Sequence, residues 1–163
     1  MAEKSDFNVE EWDLLRQSPF MASMVIAAAS PNGPVGLLKE VSAATKVISE
    51  AAESAKAPLV KAVAQDLKQV LSLPLPQRPE GAGASMAQDL ALNTLRRTSE
   101  VLGKKASPEE AAEFKQWLST IAQRTAEAAK EGGFLGFGGA LVSEEEQAAL
   151  GAIKSVLGLP RAA

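Results

Sequence analysis

The side chains that could do chemistry in this chain are carboxylates, lysines and hydroxyls, because its 163 residues include no histidine and no cysteine. Without histidine, Ser–His nucleophile pairs, imidazole zinc sites and the Glu-x-x-His ligands of helical di-iron proteins are excluded. Lys39, Glu40, Lys46 and Glu113 could act as acids, bases or nucleophiles if buried, but no spacing selects a pair among them. An enzyme built on these groups stays an alternative, and we expect a non-catalytic protein without metal or cofactor.

The composition predicts a soluble, helical protein. Hydrophobic residues make up 46% and charged residues 23% of the chain, as in ordinary globular proteins. Valine and isoleucine are scarce beside alanine and leucine, and tyrosine is absent, a bias that favours helices. The net charge of −3 argues against a nucleic-acid partner. No segment reaches the roughly 20 apolar residues of a membrane span, and without cysteine or a secretory signal we expect a cytoplasmic location.

Signals for the start of a helix recur along the chain, each a capping Ser or Asn followed by a proline, acid or amide. They are Asn8 with Glu11, Ser18 with Pro19, Ser85 with Gln88, Ser107 with Pro108, and Ser143 with Glu146. The basic doublets Arg96–Arg97 and Lys104–Lys105 suit helix C-termini. We expect an all-α, single-domain bundle of six or seven helices over residues 1–163, with a Pro/Gly-rich connection at 72–85 and a Gly/Phe connector at 132–142.

Apolar residues recur at helical spacing along most of the chain. The first long stripe contains Leu37, Val41, Ala44, Ile48 and Ala51, and a later one contains Leu90 or Ala91 followed by Leu95, Thr98 and Val101–Leu102. The first stripe could face a second chain, as in helical zippers, although such stripes more often pack inside their own chain. The function that this pattern favours is self-association or partner binding through an amphipathic helix face.

The stretch "KEGGFLGFGGALVSEEEQ" at 130–147 has three interpretations. It lacks a phosphate-loop motif, and Glu144, Glu145 and Glu146 at the start of the next helix would repel an anion. Lys130 alone faces these acids, so the basic flank of a membrane anchor is missing and membrane binding is disfavoured. The favoured interpretation is a connector whose apolar residues plug the end of the bundle.

A pocket near this connector defines the alternative function, the transport of a small hydrophobic ligand between helices. Methionines and aromatic residues more often fill core gaps than line pockets. The candidate ligand or partner residues are Met21, Met24, Trp117, Phe134, Leu135, Gly136 and Phe137.

Two blocks carry a resemblance to other proteins, "SPNGPVGLLKE" at 30–40 and the longer block at 114–146. The residues that carry it are Leu37, Leu38, Glu40, Phe114, Trp117, Gly132, Gly133, Gly136, Gly138 and Gly139. The blocks resemble a group of small all-helical bacterial proteins without an established activity. The resemblance implies a bacterial, cytoplasmic helical protein and adds nothing on mechanism.

Overall fold

The computed structural model describes residues 2–30, 34–70, 83–130 and 142–160, and these ranges contain helices and no strand. A 3₁₀ turn at Lys4–Asp6 precedes α1 (Val9–Ala29), α2 (Pro34–Ser54), α3 (Pro58–Val70), α4 (Ala84–Lys105), α5 (Pro108–Lys130) and α6 (Glu144–Leu157). The predicted all-α bundle is confirmed, with six α-helices in the described ranges. Within the same ranges, none of these helices combines the length and the apolar character that a membrane crossing requires.

Three of the predicted helix starts are confirmed by reciprocal capping hydrogen bonds. The Asn8 side chain accepts from the Glu11 N–H at 2.8 Å, and the Ser143 hydroxyl accepts from the Glu146 N–H at 3.2 Å. Ser107 accepts from the Glu110 N–H at 3.3 Å and donates its own N–H to the Glu110 carboxylate. These caps satisfy N–H groups that the first turn of a helix leaves without partners.

Two other predictions about α4 are wrong. The N-cap is Gly83 and not Ser85, so the helix begins at Ala84, before the hydroxyl that was expected to cap it. Glycine is an accepted N-cap residue, and Gly83, with φ −58° and ψ 152°, takes the capping position here. Lys104 and Lys105 do lie in the last turn, but Arg96 and Arg97 lie in the interior of α4.

The predicted restart of the chain at Ser18 and Pro19 is also wrong, because α1 continues through Pro19. A proline in a helix has no N–H to donate to the carbonyl four residues earlier, which here is Leu15. The Ser18 hydroxyl donates to the Leu15 carbonyl at 2.7 Å. Ser18 and Leu15 are fully buried, so this bond replaces the missing backbone bond where water cannot.

The core forms around α1, which contacts each of the other five helices. Helices α1 and α5 run parallel, since the Ala2 N–H donates to Glu110 at one end while the Ser23 and Thr125 hydroxyl oxygens lie 3.2 Å apart at the other. Small residues such as Ala22 and Ala122 are fully buried and permit close helix approach. The largest fully buried side chains are Phe114, Leu15, Ile26, Ile48, Leu59, Leu95, Leu102, Leu118, Ile121, Ile153 and Leu157.

The described part of the first apolar stripe packs inside the chain. Ala44, Ile48 and Ala51 are buried, and α2 packs mainly against α5 and α3. The side chains of Leu37 and Val41 lie outside the described residues, as do the connecting residues 71–82 and 131–141. At the end of the 132–142 connector, Val142 is buried. A partner surface must therefore be sought away from the described half of this stripe.

Helix α6 ends in a Schellman motif centred on Gly158. The Leu159 N–H donates to the Lys154 carbonyl at 2.9 Å, and the Gly158 N–H donates to the Ser155 carbonyl at 3.2 Å. Gly158 has a φ of 69°, in the left-handed region where a Cβ is unfavourable. This turn places Leu159 back against the core.

Replacing Ser18 by alanine is expected to lower the free energy of unfolding by about 1–2 kcal/mol, because the buried Leu15 carbonyl loses its donor. The matched control is S54A, since the Ser54 hydroxyl bonds the Glu50 carbonyl in the same way at an exposed position. In a P19A background, which restores the backbone N–H, S18A should cost clearly less. Equal costs for S18A with and without Pro19, measured by urea denaturation, would contradict this account.

Alanine substitutions at Gly151 in α6 and at Gly158 just after it should change the stability in opposite directions. G158A is expected to destabilise by about 1 kcal/mol because of its positive φ. G151A should stabilise by up to about 1 kcal/mol, because Gly151 is helical and a Cβ there meets nothing within 4 Å. Thermal denaturation of both variants tests the assignment, and a shift in the same direction would be inconsistent with the Schellman motif.

Candidate functional site

The three predicted pocket residues that the structure describes belong to the hydrophobic core. Trp117 is buried in α5, and Met21 and Met24 are half-buried on α1 and packed against the core. The Trp117 ring meets the Phe114 ring edge to face, with centroids 5.3 Å apart. The predicted residues Phe134, Leu135, Gly136 and Phe137 lie outside the described residues, so a pocket that joins the two sets stays a prediction.

Trp117 carries an unusual feature for a core residue. Its indole Nε1 is buried and has no hydrogen-bond acceptor among the described residues. A buried N–H without an acceptor is destabilising by about 1–3 kcal/mol. This N–H is therefore a group that a bound acceptor could satisfy.

The densest polar cluster of the described surface surrounds Asp66 near the end of α3. Its carboxylate accepts from the Trp12 indole Nε1 at 2.8 Å and from the Lys4 ammonium at 3.0 and 3.1 Å. The Arg16 Nε lies 3.8 Å from the same carboxylate. The Lys4 Nζ also lies 5.3 Å from the centroid of the Trp12 ring, a cation–π distance. The cluster joins α3 to the start of α1.

These contacts lower the pKa of Asp66. The hydrogen bond from Trp12 contributes most, burial opposes it, and the hydrogen bond from Lys4 with the charges of Lys4 and Arg16 adds to the lowering. Asp66 is therefore ionised at neutral pH and saturated by donors. A carboxylate in that state is a poor general acid or base. The contacts of Asp66 instead match a structural role, in which it holds α3 against the start of α1.

A second set of contacts fixes the N-terminal segment to α4 and α5. Lys105 donates to the Asp6 carbonyl and pairs with Glu11, both at 3.0 Å. Glu110 accepts from the Ala2 N–H at 2.9 Å. Burial raises the pKa of Glu110, but the N–H groups of Ser107 and Ala2 outweigh burial and lower it. The hydrogen bond from Asn8 and the bond to Lys105 lower the pKa of Glu11.

The described residues give no support to an active site built on carboxylates or lysines. Lys46 and Glu113 are exposed on different helices, and the side chains of Lys39 and Glu40 lie outside the described residues. Within the described part of the chain, no three acidic side chains come together in a way that could hold a metal ion. The ionised acids described above stabilise the fold.

An exposed apolar patch lies on the first half of α4 and consists of Met86 and Leu90. These side chains are 68% and 61% exposed and lie one turn apart on the same face. Asp89 lies beside the patch, and Arg96 and Arg97 follow it along the exposed surface. None of these three charged residues forms an ion pair with a described residue.

The α4 patch was not predicted from the sequence, although a signal existed. The sequence allows either Leu90 or Ala91 as a core position, and the structure buries Ala91 and exposes Leu90. Ala91, Leu95, Thr98 and Leu102 step by four, three and four, which fixes the buried face. With that face buried, Met86 and Leu90 lie together on another face of α4.

Comparisons with family models, with curated proteins and with solved structures found no match for this chain. We therefore infer the function from the geometry of the described residues.

The Asp66 cluster predicts a pH-dependent contribution to stability. Because the folded pKa of Asp66 lies below its ordinary value of 3.8, its stabilisation is fully present above that pH and is lost as the pH falls through the folded pKa. D66N should lower the free energy of unfolding by about 1 kcal/mol at neutral pH, since the exposed fraction of the carboxylate limits the effect.

Denaturation of the D66N variant from pH 7 to about pH 2 tests this. The difference from the unsubstituted protein should begin to shrink as the pH falls below 3.8, and it should approach zero only below the folded pKa, where Asp66 is neutral in both states. The control is D13N, because the Asp13 side chain is about half exposed and pairs with Arg16 alone among described residues, so a small effect is expected. A pH-independent difference for D66N would show that charge is not the source of the stabilisation.

Proposed function

We propose that this chain is a non-catalytic, cytoplasmic helical protein that self-associates through the first half of α4. The observation that supports the proposal is the exposed pair Met86 and Leu90, adjacent on one helix face. Large apolar side chains clustered on a surface are a feature of association sites, whereas isolated ones are ordinary. The lack of cysteine supports a reducing compartment.

The charges of α4 suit a second copy of the same helix. In a two-fold dimer each residue i that meets residue j is matched by j meeting i. If two α4 helices pair antiparallel about a point just beyond Leu90, Met86 lies opposite the aliphatic stem of Arg97. Asp89 then comes within one helical turn of the other copy's Arg97. Both charges lack ion pairs within the described chain, so the dimer would supply them.

The carrier function stays a second candidate because of Trp117. Its buried Nε1 without a described acceptor is a donor that a ligand between α1 and α5 could use, with Met21 and Met24 as apolar neighbours on α1. A hydrophobic molecule that copurifies with the protein and shifts the Trp117 fluorescence would favour this function over self-association.

Sedimentation velocity over about three decades of protein concentration tests the dimer. The unsubstituted protein should shift from monomer to dimer, and L90Q should stay monomeric, because the substitution removes the apolar contact. The matched control is V9Q, since Val9 is a similarly exposed apolar residue, at 78%, and lies on a different helix, α1. V9Q should associate like the unsubstituted protein.

Charge reversal distinguishes this dimer from non-specific association. D89R and R97D alone should each weaken the dimer, because each places like charges opposite one another. The double variant D89R/R97D restores opposite charges across the two-fold axis and should recover the association. A monomer at every concentration, or a double variant as weak as the single ones, would rule out the α4 pairing.

A further inference from the structure

A groove opens where the C-terminal ends of α4 and α6 meet the first turns of α5. It has a volume of about 430 Å³ and is open to solvent, since half of the residues that line it are exposed. Its walls are mostly apolar and small, with Gly103 and Ala106 from α4, Ala111 and Ala112 from α5, and Leu159 after α6. The groove lies at the N-terminal end of α5.

The groove exists because small residues leave the space unfilled. Gly103 is a helical glycine, and a Cβ built on it meets no atom within 4 Å. A Cβ on Gly158, at the end of α6, also meets nothing within 4 Å. A glycine inside a helix is less favourable than alanine by about 1 kcal/mol, so Gly103 leaves open a space at a cost to the stability of α4.

Lys115 supplies a positively charged group at the groove. It is half-buried and supplies the charge among the described residues that line the groove. It forms no ion pair with a described residue. The residues three and four positions away on α5 are Ala111, Ala112, Leu118 and Ser119, so no acid on its own helix can neutralise it.

We propose that this groove binds a small amphiphile with an apolar body and a carboxylate head. The alanine and leucine walls receive the alkyl chain, and the Lys115 ammonium pairs with the carboxylate at the edge of the groove. The proposal is independent of the α4 dimer, since it uses a different surface and different residues.

Three probes with the same alkyl chain separate the head group from the apolar body: decanoate, decanol and decyltrimethylammonium. Titrations followed by amide NMR should show decanoate shifting the signals of Gly103, Ala112 and Gly158. Decanol should bind about two- to fivefold more weakly, the usual effect of losing one partly exposed ion pair. Decyltrimethylammonium should bind weakest, because its charge repels Lys115.

Two variants test whether the probes bind in the groove. K115M keeps the apolar stem and removes the charge, so it should reduce decanoate affinity to that of decanol. G103L fills the groove and should abolish binding of all three probes while raising thermal stability, because leucine is a better helix former than glycine. The control is K104M, which removes an exposed lysine of α4 outside the groove lining.

The proposal fails if decanoate shifts none of the groove amides at millimolar concentration. It also fails if K115M and K104M reduce decanoate affinity equally, because the charge effect would then be non-specific. Persistent decanoate binding to a folded G103L variant would place the ligand elsewhere and overturn the proposal as well.

Discussion

The bundle depends on α1 remaining one helix across Pro19. Every other helix packs against α1, so a break or a large kink at its middle would displace the contacts of α4 and α5 together. The Ser18 hydroxyl prevents an unsatisfied carbonyl at Leu15, and the interior of the bundle closes around that bond. The rule that decides the architecture is the requirement for partners on buried backbone polar groups.

Three acidic residues stabilise the fold by connecting separate parts of the chain. Asp66, Glu11 and Glu110 connect the first residues of the chain to α3, α4 and α5, and each has a lowered pKa because donors converge on it. Perturbed carboxylates are often taken as signs of catalysis, but a catalytic acid at neutral pH needs a raised pKa. The direction of these shifts matches a structural role and fits the absence of histidine.

Much of the fold could be predicted from local signals, and the failures have physical causes. The caps at Asn8, Ser107 and Ser143 were predictable, because a capping box needs residues three apart and little tertiary context. Pro19 misled the prediction, because a neighbouring hydroxyl compensates for its missing N–H in a way that proline rules do not include. The prediction of Ser85 as an N-cap was wrong because Gly83, two residues earlier, takes that position, which glycine also fills well.

The candidate surfaces were harder to predict, because they depend on which face of a helix is left over after packing. Helix α4 directs Ala91, Leu95, Thr98 and Leu102 into the bundle, which leaves Leu90 outside and Gly103 at the groove. Leu90 and Gly103 are separated by about 20 Å along the helix axis, at 1.5 Å per residue. Gly103 also lies roughly a third of a turn around the helix from the face that carries Met86, Leu90 and Arg97, at 3.6 residues per turn. Because the two surfaces lie on different faces of α4, the proposed dimer would leave the groove open, and a ligand at Lys115 would not compete with a second copy of the chain.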